Sequence, residues 1–382
     1  MDMKEQKNDF GVGSVEQNII RMAVPMTVAQ ILNLLYNMVD RMYIGHIPGA
    51  SSLALTGVGI TFPIISMITA FANLFGMGGA PLCSMARGRR DYDAAKRYMQ
   101  NAFWMLFAAG VVLTVTGYVI EKPLLYALGA SSVTYPYASS YLRIYLLGNM
   151  FVMVGIGMNP FINAQGFGTM GMVTVGLGAL VNIILDPLFI FVFHMGVEGA
   201  AIATIIAQFL SALWVLFFLT GEKPDLRLKI CWRKPEFTVV KEIVSLGLSN
   251  FFMLFTNSLV QVVCNRQLQL YGGDLYVGVM TVLISVRDVA TMVVNGITSG
   301  AQPVISFNYG AQKKDRVKQG IRFMVTICII YTCLMWIMTL TFPEAFIRLF
   351  NSDAELVAAA VPSMHLYFFG FCFMALQFTG QA

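Results

Sequence analysis

The sequence predicts an all-α integral membrane protein, arranged as two parallel repeats of six helices with about ten of the twelve helices present. The first observation is composition, because 57% of the 382 residues are hydrophobic and 12% are charged. That charged fraction is about half of what soluble domains carry. The second is a series of apolar runs, each near the ~20 residues that a membrane-crossing helix needs. The third is an internal repeat, in which corresponding residues of the two copies are separated by a constant interval. This interval, the number of residues from Gly88 to Gly310, is here called the repeat spacing.

Ten apolar segments are long enough to be membrane spans. They cover about residues 18–40, 53–79, 98–119, 137–161, 171–194, 198–219, 243–265, 275–299, 319–341 and 360–382. The even connections between them include three basic clusters, whereas the odd connections are nearly free of Lys and Arg. The clusters contain Arg87, Arg89, Arg90, Lys96 and Arg97, then Lys223, Arg227, Lys229, Arg233, Lys234 and Lys241, then Lys313, Lys314, Arg316, Lys318 and Arg322. The positive-inside rule therefore places the even connections and the N-terminus in the cytoplasm.

The internal repeat lies in two similar segments, "GGAPLCSMARGRRDYDAAKR" and "SGAQPVISFNYGAQKKDRVKQ". At the repeat spacing, Gly78, Pro81, Ser84, Gly88, Asp93 and Lys96 align with Gly300, Pro303, Ser306, Gly310, Asp315 and Lys318, and Tyr145 and Gly148 align with Tyr367 and Gly370. Six spans precede the polar segment near residues 221–236, so the repeated unit has six helices. An even number of helices gives both copies the same orientation in the membrane.

The repeat also predicts the domain organisation. We expect an N-terminal lobe of residues 1–221, a cytoplasmic linker of residues 222–236 and a C-terminal lobe of residues 237–382. By the repeat spacing, the second lobe would end near residue 443. We therefore expect the C-terminal lobe to be incomplete, with about four helices and about 60 residues missing.

The remaining composition excludes several classes. The N-terminal segment "MDMKEQKNDFGVGSVEQ" has no apolar core and is not a secretory signal. The six cysteines are scattered and form no metal-binding motif, so we interpret them as small buried hydrophobes. They are Cys83, Cys231, Cys264, Cys328, Cys333 and Cys372. The basic residues of the cytoplasmic connections explain the net charge of +5, so no nucleic-acid partner is needed to account for it.

The stretch "LVNIILDPLFIF", residues 180–191, places a carboxyl group inside a predicted span. Asn182 is one helical turn before Asp186, so the two side chains share a helix face. Pro187 has no amide hydrogen, which frees a main-chain carbonyl and bends the helix. Thr204 lies among small residues in the next span and could add a hydroxyl group. Together these groups suit the binding of a cation or a proton.

Asp40 is a second carboxyl group within a span. An ionisable residue at a helix centre costs about 2.5–3.5 kcal/mol, so both acids need a physical reason. One reason is structural, since Asp40 and Asp186 could join helices through hydrogen bonds that contribute ~0.6 kcal/mol each. Asp40 could also neutralise the neighbouring Arg41 near the outer surface. The other reason is functional: burial disfavours the ionised form, so a change of charge can bias two conformations.

Further polar side chains within the predicted spans are candidates for lining a cavity. They are Asn33, Tyr36, Asn37, Asn159, Arg287 and Asp288.

The motifs, taken in order, resemble those of one family. "VDRMYIGH", "ALTGVGITFPI", "LVNIILDPLFIF" and "GAQPVISFNYGA" are similar to segments of the multidrug and toxic compound extrusion (MATE) family, in its prokaryotic DinF/MepA-like branch. The resemblance runs from about residue 15 to the end of the sequence. It implies twelve helices in two lobes around a central cavity, and the given sequence departs from that pattern by lacking helices 11 and 12.

The resemblance also implies a function. Members of the family exchange a proton or a sodium ion for mostly cationic, lipophilic compounds, and they need no cofactor. By similarity, the proton or Na⁺ site falls on Asp40, Asn182, Asp186 and Thr204. We therefore expect a non-enzymatic antiporter of the cytoplasmic membrane, a monomer whose partners are small molecules and membrane lipid.

Other functions stay open at this point. A flippase for lipid-linked saccharides would need a cavity ringed with Lys and Arg, for which Arg143, Arg266 and Arg287 are the candidates. A membrane-embedded enzyme would need paired catalytic groups, and no such motif occurs. A receptor or scaffold would have no use for the Asn182, Asp186 and Pro187 set.

Overall fold

The computed structural model describes residues 8–47, 51–230, 235–350 and 353–381, and its regular structure is helical throughout. The helices are α1 (Val15–Gly45), α2 (Ser51–Gly88), α3 (Tyr92–Ala127), α4 (Tyr135–Leu147), α5 (Asn149–Ala164), α6 (Gly168–Pro187), α7 (Gly196–Thr220), α8 (Phe237–Gly310), α9 (Lys314–Thr341), α10 (Pro343–Arg348), α11 (Ala354–Tyr367) and α12 (Met374–Gln381). A π-helical turn (Leu188–Val192) follows α6, and a 3₁₀ turn (Phe371–Phe373) precedes α12.

The number of membrane spans agrees with the sequence prediction. Within the described ranges, eight segments are long and apolar enough to cross a membrane, or up to ten if each of two bent helix pairs counts as one span. Two of the eight belong to α8, which we divide into α8a (Phe237–Leu268) and α8b (Leu275–Gly310). They meet at Gly273, whose φ of 66° only glycine adopts easily. The predicted all-α membrane fold is therefore confirmed.

Two predicted spans differ from a straight helix. The span predicted at 137–161 is the pair α4 and α5, bent by 58°, and the one at 360–382 is the pair α11 and α12, bent by 50°. The first bend is at Gly148, where a β-carbon would lie 2.5 Å from a side-chain carbon of Ile205. Gly370, at the second bend, is one repeat spacing further along the chain. The repeat therefore extends to the shape of the helices.

Contacts between helices α1–α7 and helices α8–α12 gather at the end of the bundle that carries the basic connections, here called the basic end. A β-carbon on Gly88 would lie 2.0 Å from the carbonyl oxygen of Phe307, and one on Gly310 would lie 2.0 Å from that of Met85. Met85 and Phe307 are also separated by the repeat spacing, so the two contacts are repeat-related. Only glycine permits this close approach of two backbones.

The two halves also exchange the starts of their first helices. At the start of α1, Glu16 accepts a hydrogen bond of 2.5 Å from Gln319 of α9. At the start of α8, the amide of Glu236 donates a 3.0 Å hydrogen bond to Asn101 of α3, and Glu242 accepts one from Tyr98. Each half is therefore completed by a helix end of the other.

Residues 8–14, here called the N-terminal strap, connect both halves at the basic end. The amide of Asn8 donates to the carbonyl of Gly166 at 3.1 Å. The guanidinium group of Arg316 donates to the carbonyls of Phe10 (3.1 Å) and Gly13 (2.7 Å) and to the side chain of Asn308 (2.9 Å). The ring of Phe10 is buried. The strap is therefore a packed part of the fold.

We predict that Arg316→Ala destabilises the protein by about 2 kcal/mol, because it removes the hydrogen bonds that Arg316 donates to the strap and to the buried side chain of Asn308. Thermal unfolding of the purified protein would show a lower Tm, and limited proteolysis would cleave the strap faster. Lys318→Ala removes the same charge from an exposed position of α9 and is the matched control. Equal Tm values for both variants would contradict the prediction.

Candidate functional site

The centre of the candidate site is a buried polar cluster between α6 and α7. The side-chain amide of Asn182 donates hydrogen bonds to Asp186 Oδ1 at 3.1 Å and to Thr204 Oγ1 at 3.4 Å. Thr204 in turn donates to the carbonyl of Ala200 at 3.0 Å. Asp186 is 0% exposed and Asn182 is 1% exposed. The helical spacing of four residues, read from the sequence, brings these groups together.

Asp40 of α1 completes the cluster. Its carboxyl group interacts directly with that of Asp186, side chain to side chain. The guanidinium carbon of the neighbouring Arg41 instead lies over the ring of Phe62, 4.9 Å from its centroid. Asp40 is therefore turned inward, toward the other acid.

Several oxygen atoms of this cluster are buried without a donor. Among the described residues, Asp40 Oδ1, Asp186 Oδ2 and Asn182 Oδ1 have no hydrogen-bond partner. Two adjacent carboxyl groups are strongly favoured to share a proton, because two unscreened negative charges repel at short range. The same oxygens suit a hard cation such as Na⁺, which prefers carboxylate and carbonyl ligands. The site can therefore hold a proton or a monovalent cation.

Two tyrosines border the cluster, and sequence reasoning assigned no role to Tyr141. Tyr36 of α1 interacts with both Asp40 and Asp186. Tyr141 of α4, which is 3% exposed, lies near Asp40 and Thr204. Its ring stacks on that of Tyr145, with centroids 6.2 Å apart. The signal available in the sequence was this pair of tyrosines, four residues apart in an apolar helix.

Pro187 marks a change of helix geometry. The α-helix α6 ends at this residue, and the chain continues as a π-helical turn from Leu188 to Val192. The missing amide hydrogen prevents the regular bond to the carbonyl of Ile183. Single π-turns inside helices are frequent at functional sites. The irregular backbone thus directly follows the acid.

A cavity of about 390 Å³ adjoins the cluster. Asn182 and Thr204 belong to both the cluster and the cavity wall, and the candidates Asn33, Tyr36 and Asn159 also line it. Its other amide side chains are Gln30, Asn73, Asn163, Gln208 and Gln302. None of the described lining residues is charged, so this cavity can recognise a cation through dipoles, sulfur atoms, the ring of Tyr36 and the nearby acids.

The other candidates for lining the cavity lie elsewhere. Asn37 is exposed on α1 and donates a 2.6 Å hydrogen bond to the carbonyl of Asn33. Arg287 and Asp288 form an ion pair of 3.0 Å on α8b, and Arg287 also donates to the hydroxyl of Tyr367 at 3.1 Å. These three residues are not part of the cavity wall that the described ranges form.

Gly171 of α6 makes room for two side chains of α5. A β-carbon at this position would lie 2.1 Å from Asn163 Oδ1 and 3.3 Å from Asn159 Oδ1. The amide nitrogen of Asn159 donates to the carbonyl of Gly171 at 3.3 Å. The glycine therefore sets the position of two amides in the cavity wall.

Fold and site together define a polytopic helical membrane protein in which the buried Asp186 and the half-buried Asp40 lie beside a neutral cavity. The family model MatE matches residues 25–188 and 250–382. The chain therefore belongs to the MATE family of transporters, as the motifs indicated.

Relatives and solved structures agree with this assignment. The multidrug export protein MepA of Staphylococcus haemolyticus is 27% identical over 99% of this chain and 84% of its own length. MepA of Staphylococcus saprophyticus is 25% identical over the same shares. A multidrug resistance MATE transporter of the MOP superfamily, solved in an outward-facing conformation, superposes with a TM-score of 0.86 at 22% identity, over 97% of this chain and 84% of that one. A MOP superfamily transporter from Pyrococcus furiosus superposes with a TM-score of 0.87 at 22% identity, over 99% of this chain and 86% of that one. At such identities these structures show the fold alone.

We predict that Gly171→Ala disturbs the cavity wall, because the added methyl group occupies the position of Asn163 Oδ1. Overpacking of this kind costs about 1–3 kcal/mol, so the purified protein should unfold at a lower temperature. Gly176→Ala is the matched control on the same helix, since its β-carbon would meet only Leu32, at 3.4 Å. A Tm as low for Gly176→Ala as for Gly171→Ala would contradict this account.

Proposed function

We propose that this chain is a secondary active multidrug antiporter, which exports cationic, lipophilic compounds in exchange for H⁺ or Na⁺. The observation that carries the proposal is the pair of acids, the half-buried Asp40 and the buried Asp186, behind the wall of a neutral cavity. Asn182 and Thr204 belong to both structures, so a change in the charge of the acids reaches the cavity through two side chains. The names of the MepA relatives support multidrug export.

The proposed coupling depends on the charge of the two carboxyl groups, which differs between the ion-bound and the ion-free protein. A carboxyl pair out of water is far more stable with a proton or a cation than without one. An entering ion gains ~2.3 kcal/mol per 100 mV of membrane potential, which is enough to bias two conformations. Binding of the ion changes the hydrogen bonds of Asn182 and Thr204, and thereby the cavity that holds the exported compound.

The arrangement of the two halves supports an alternating mechanism. We propose that the halves are lobes of residues 1–221 and 237–382, joined by a cytoplasmic linker of residues 222–236. The two halves are tightly packed at the basic end. The positive-inside rule places this end and the N-terminus in the cytoplasm. The proposed state is therefore closed to the cytoplasm, in a multi-pass protein of the cytoplasmic membrane that acts as a monomer.

The flippase alternative is less well supported. A lipid-linked saccharide carries phosphate groups, which Arg and Lys side chains bind. The described wall of the main cavity contains neither residue type, and Arg287 is engaged with Asp288 and Tyr367.

We predict that Asp186→Asn and Asp40→Asn in the full-length protein each lower ethidium efflux from cells at least about tenfold, because one fewer titratable carboxyl group remains for the ion. Asp93→Asn, at an exposed position of α3, is the control for loss of one acid. Expression and Tm of each variant are measured in parallel. Wild-type efflux by Asp186→Asn at equal expression would refute the coupling role.

The coupling ion is tested in vesicles that contain the full-length protein. A proton gradient and a sodium gradient are imposed separately, and uptake of the dye is followed. We expect one of the two gradients to drive transport in the wild type and to fail with Asp186→Asn. Transport that neither gradient accelerates would exclude an antiporter of either kind.

A further inference from the structure

A second cavity, of about 90 Å³, adjoins the main one. Its wall comes from α8 and α12 together with Met77 of α2. The polar side chains that line it are uncharged: Asn250, Asn295, Thr298, Ser299, Gln302 and Gln381. The second cavity therefore offers hydrogen-bonding groups but, among the described residues, no charge to balance a bound ion.

The two cavities are related by the internal repeat. Asn295, Phe378 and Gln381 of the second cavity lie one repeat spacing after Asn73, Ile156 and Asn159 of the first. Ser299 and Gln302 lie at the same interval after Met77 and Ala80, which also line the first cavity. The second cavity is thus the counterpart of the first in the other half of the protein.

Three side chains separate the cavities, since Met77, Ser299 and Gln302 line both. Met77 and Ser299 are themselves repeat-related, so the boundary has a long side chain from one half and a short one from the other. Methionine is unbranched and has three rotatable side-chain bonds, so it can move aside at low cost. Met77 is therefore suited to open and close the passage between the cavities.

We propose that the two cavities form one ligand site, in which an elongated compound places its cationic group in the large cavity and an uncharged hydrogen-bonding group in the small one. Met77 is then the side chain that determines which ligand lengths are accepted. A second cationic group is disfavoured, because burying a charge without a counter-charge is costly. This inference rests on the proposed function, since it assumes that the large cavity binds cations.

The experiment uses the full-length protein in lipid nanodiscs and a series of alkyltrimethylammonium ions. The chains have four to twelve carbons and end in either a methyl group or a primary amide. Beyond a threshold length, we expect the amide-ended compound to bind about three- to tenfold more tightly than its methyl-ended partner, the usual value of one or two hydrogen bonds. Thr298→Val should reduce this gain. Thr332→Val, at a buried threonine of α9 with the same kind of intrahelical bond, should preserve it.

Variants of Met77 test the passage. Met77→Ala should lower the threshold length, and Met77→Phe should abolish the gain of the long amide-ended compounds while the four-carbon compounds still bind. Asn73→Leu, in the large cavity, should weaken all lengths equally. Equal affinities for the two endings at every length, with normal binding of the four-carbon compounds, would overturn this inference alone. Absence of binding by compounds of every length and both endings would overturn the proposed function, and this inference with it.

Discussion

The structure depends on the cost of placing charge and unpaired polar groups outside water. In a bilayer each uncompensated polar group costs several kcal/mol, so those that persist must be paired or face an aqueous or functional space. Asp40, Asn182 and Asp186 retain buried oxygen atoms without donors in the described structure. The surrounding helices nevertheless hold them together, through Asn182 and Thr204. These oxygen atoms without donors are the feature from which the proposed exchange of ions follows.

Close helix packing supplies the rigid frame around this set. Glycines at repeat-related positions bring α2 and α8 into backbone contact at the basic end, through the pairs Gly88 with Phe307 and Gly310 with Met85. Membrane helices gain little from the hydrophobic effect against one another, so small residues that permit close approach are their main source of packing energy. The same repeat that shapes the basic end also produces two cavities of unequal size. The large one lies beside the acids.

Much of this architecture could be predicted from the sequence. The spans followed from apolar length, and the proximity of Asn182 and Asp186 followed from helical periodicity. The relation of the two halves followed from the constant repeat spacing. Tyr141 was missed because a tyrosine in an apolar helix gives no local sign of its partner on another helix. The bends near Gly148 and Gly370 were missed because hydropathy measures length but not direction. Asn37, Arg287 and Asp288 are polar residues within spans, yet periodicity alone could not show which face meets the cavity.

The exchange of helix ends has a consequence for biosynthesis. Phe10, Val15, Ile19 and Met22 share one buried cluster with Val294, Ala301, Met324 and Cys328. These partners are synthesised about 300 residues later, which at roughly 5–20 residues per second is about fifteen seconds to a minute. During that interval this apolar face of the first helix lacks those partners and must be sheltered by lipid or by the insertion machinery. The N-terminal half is thus inserted early and completed late.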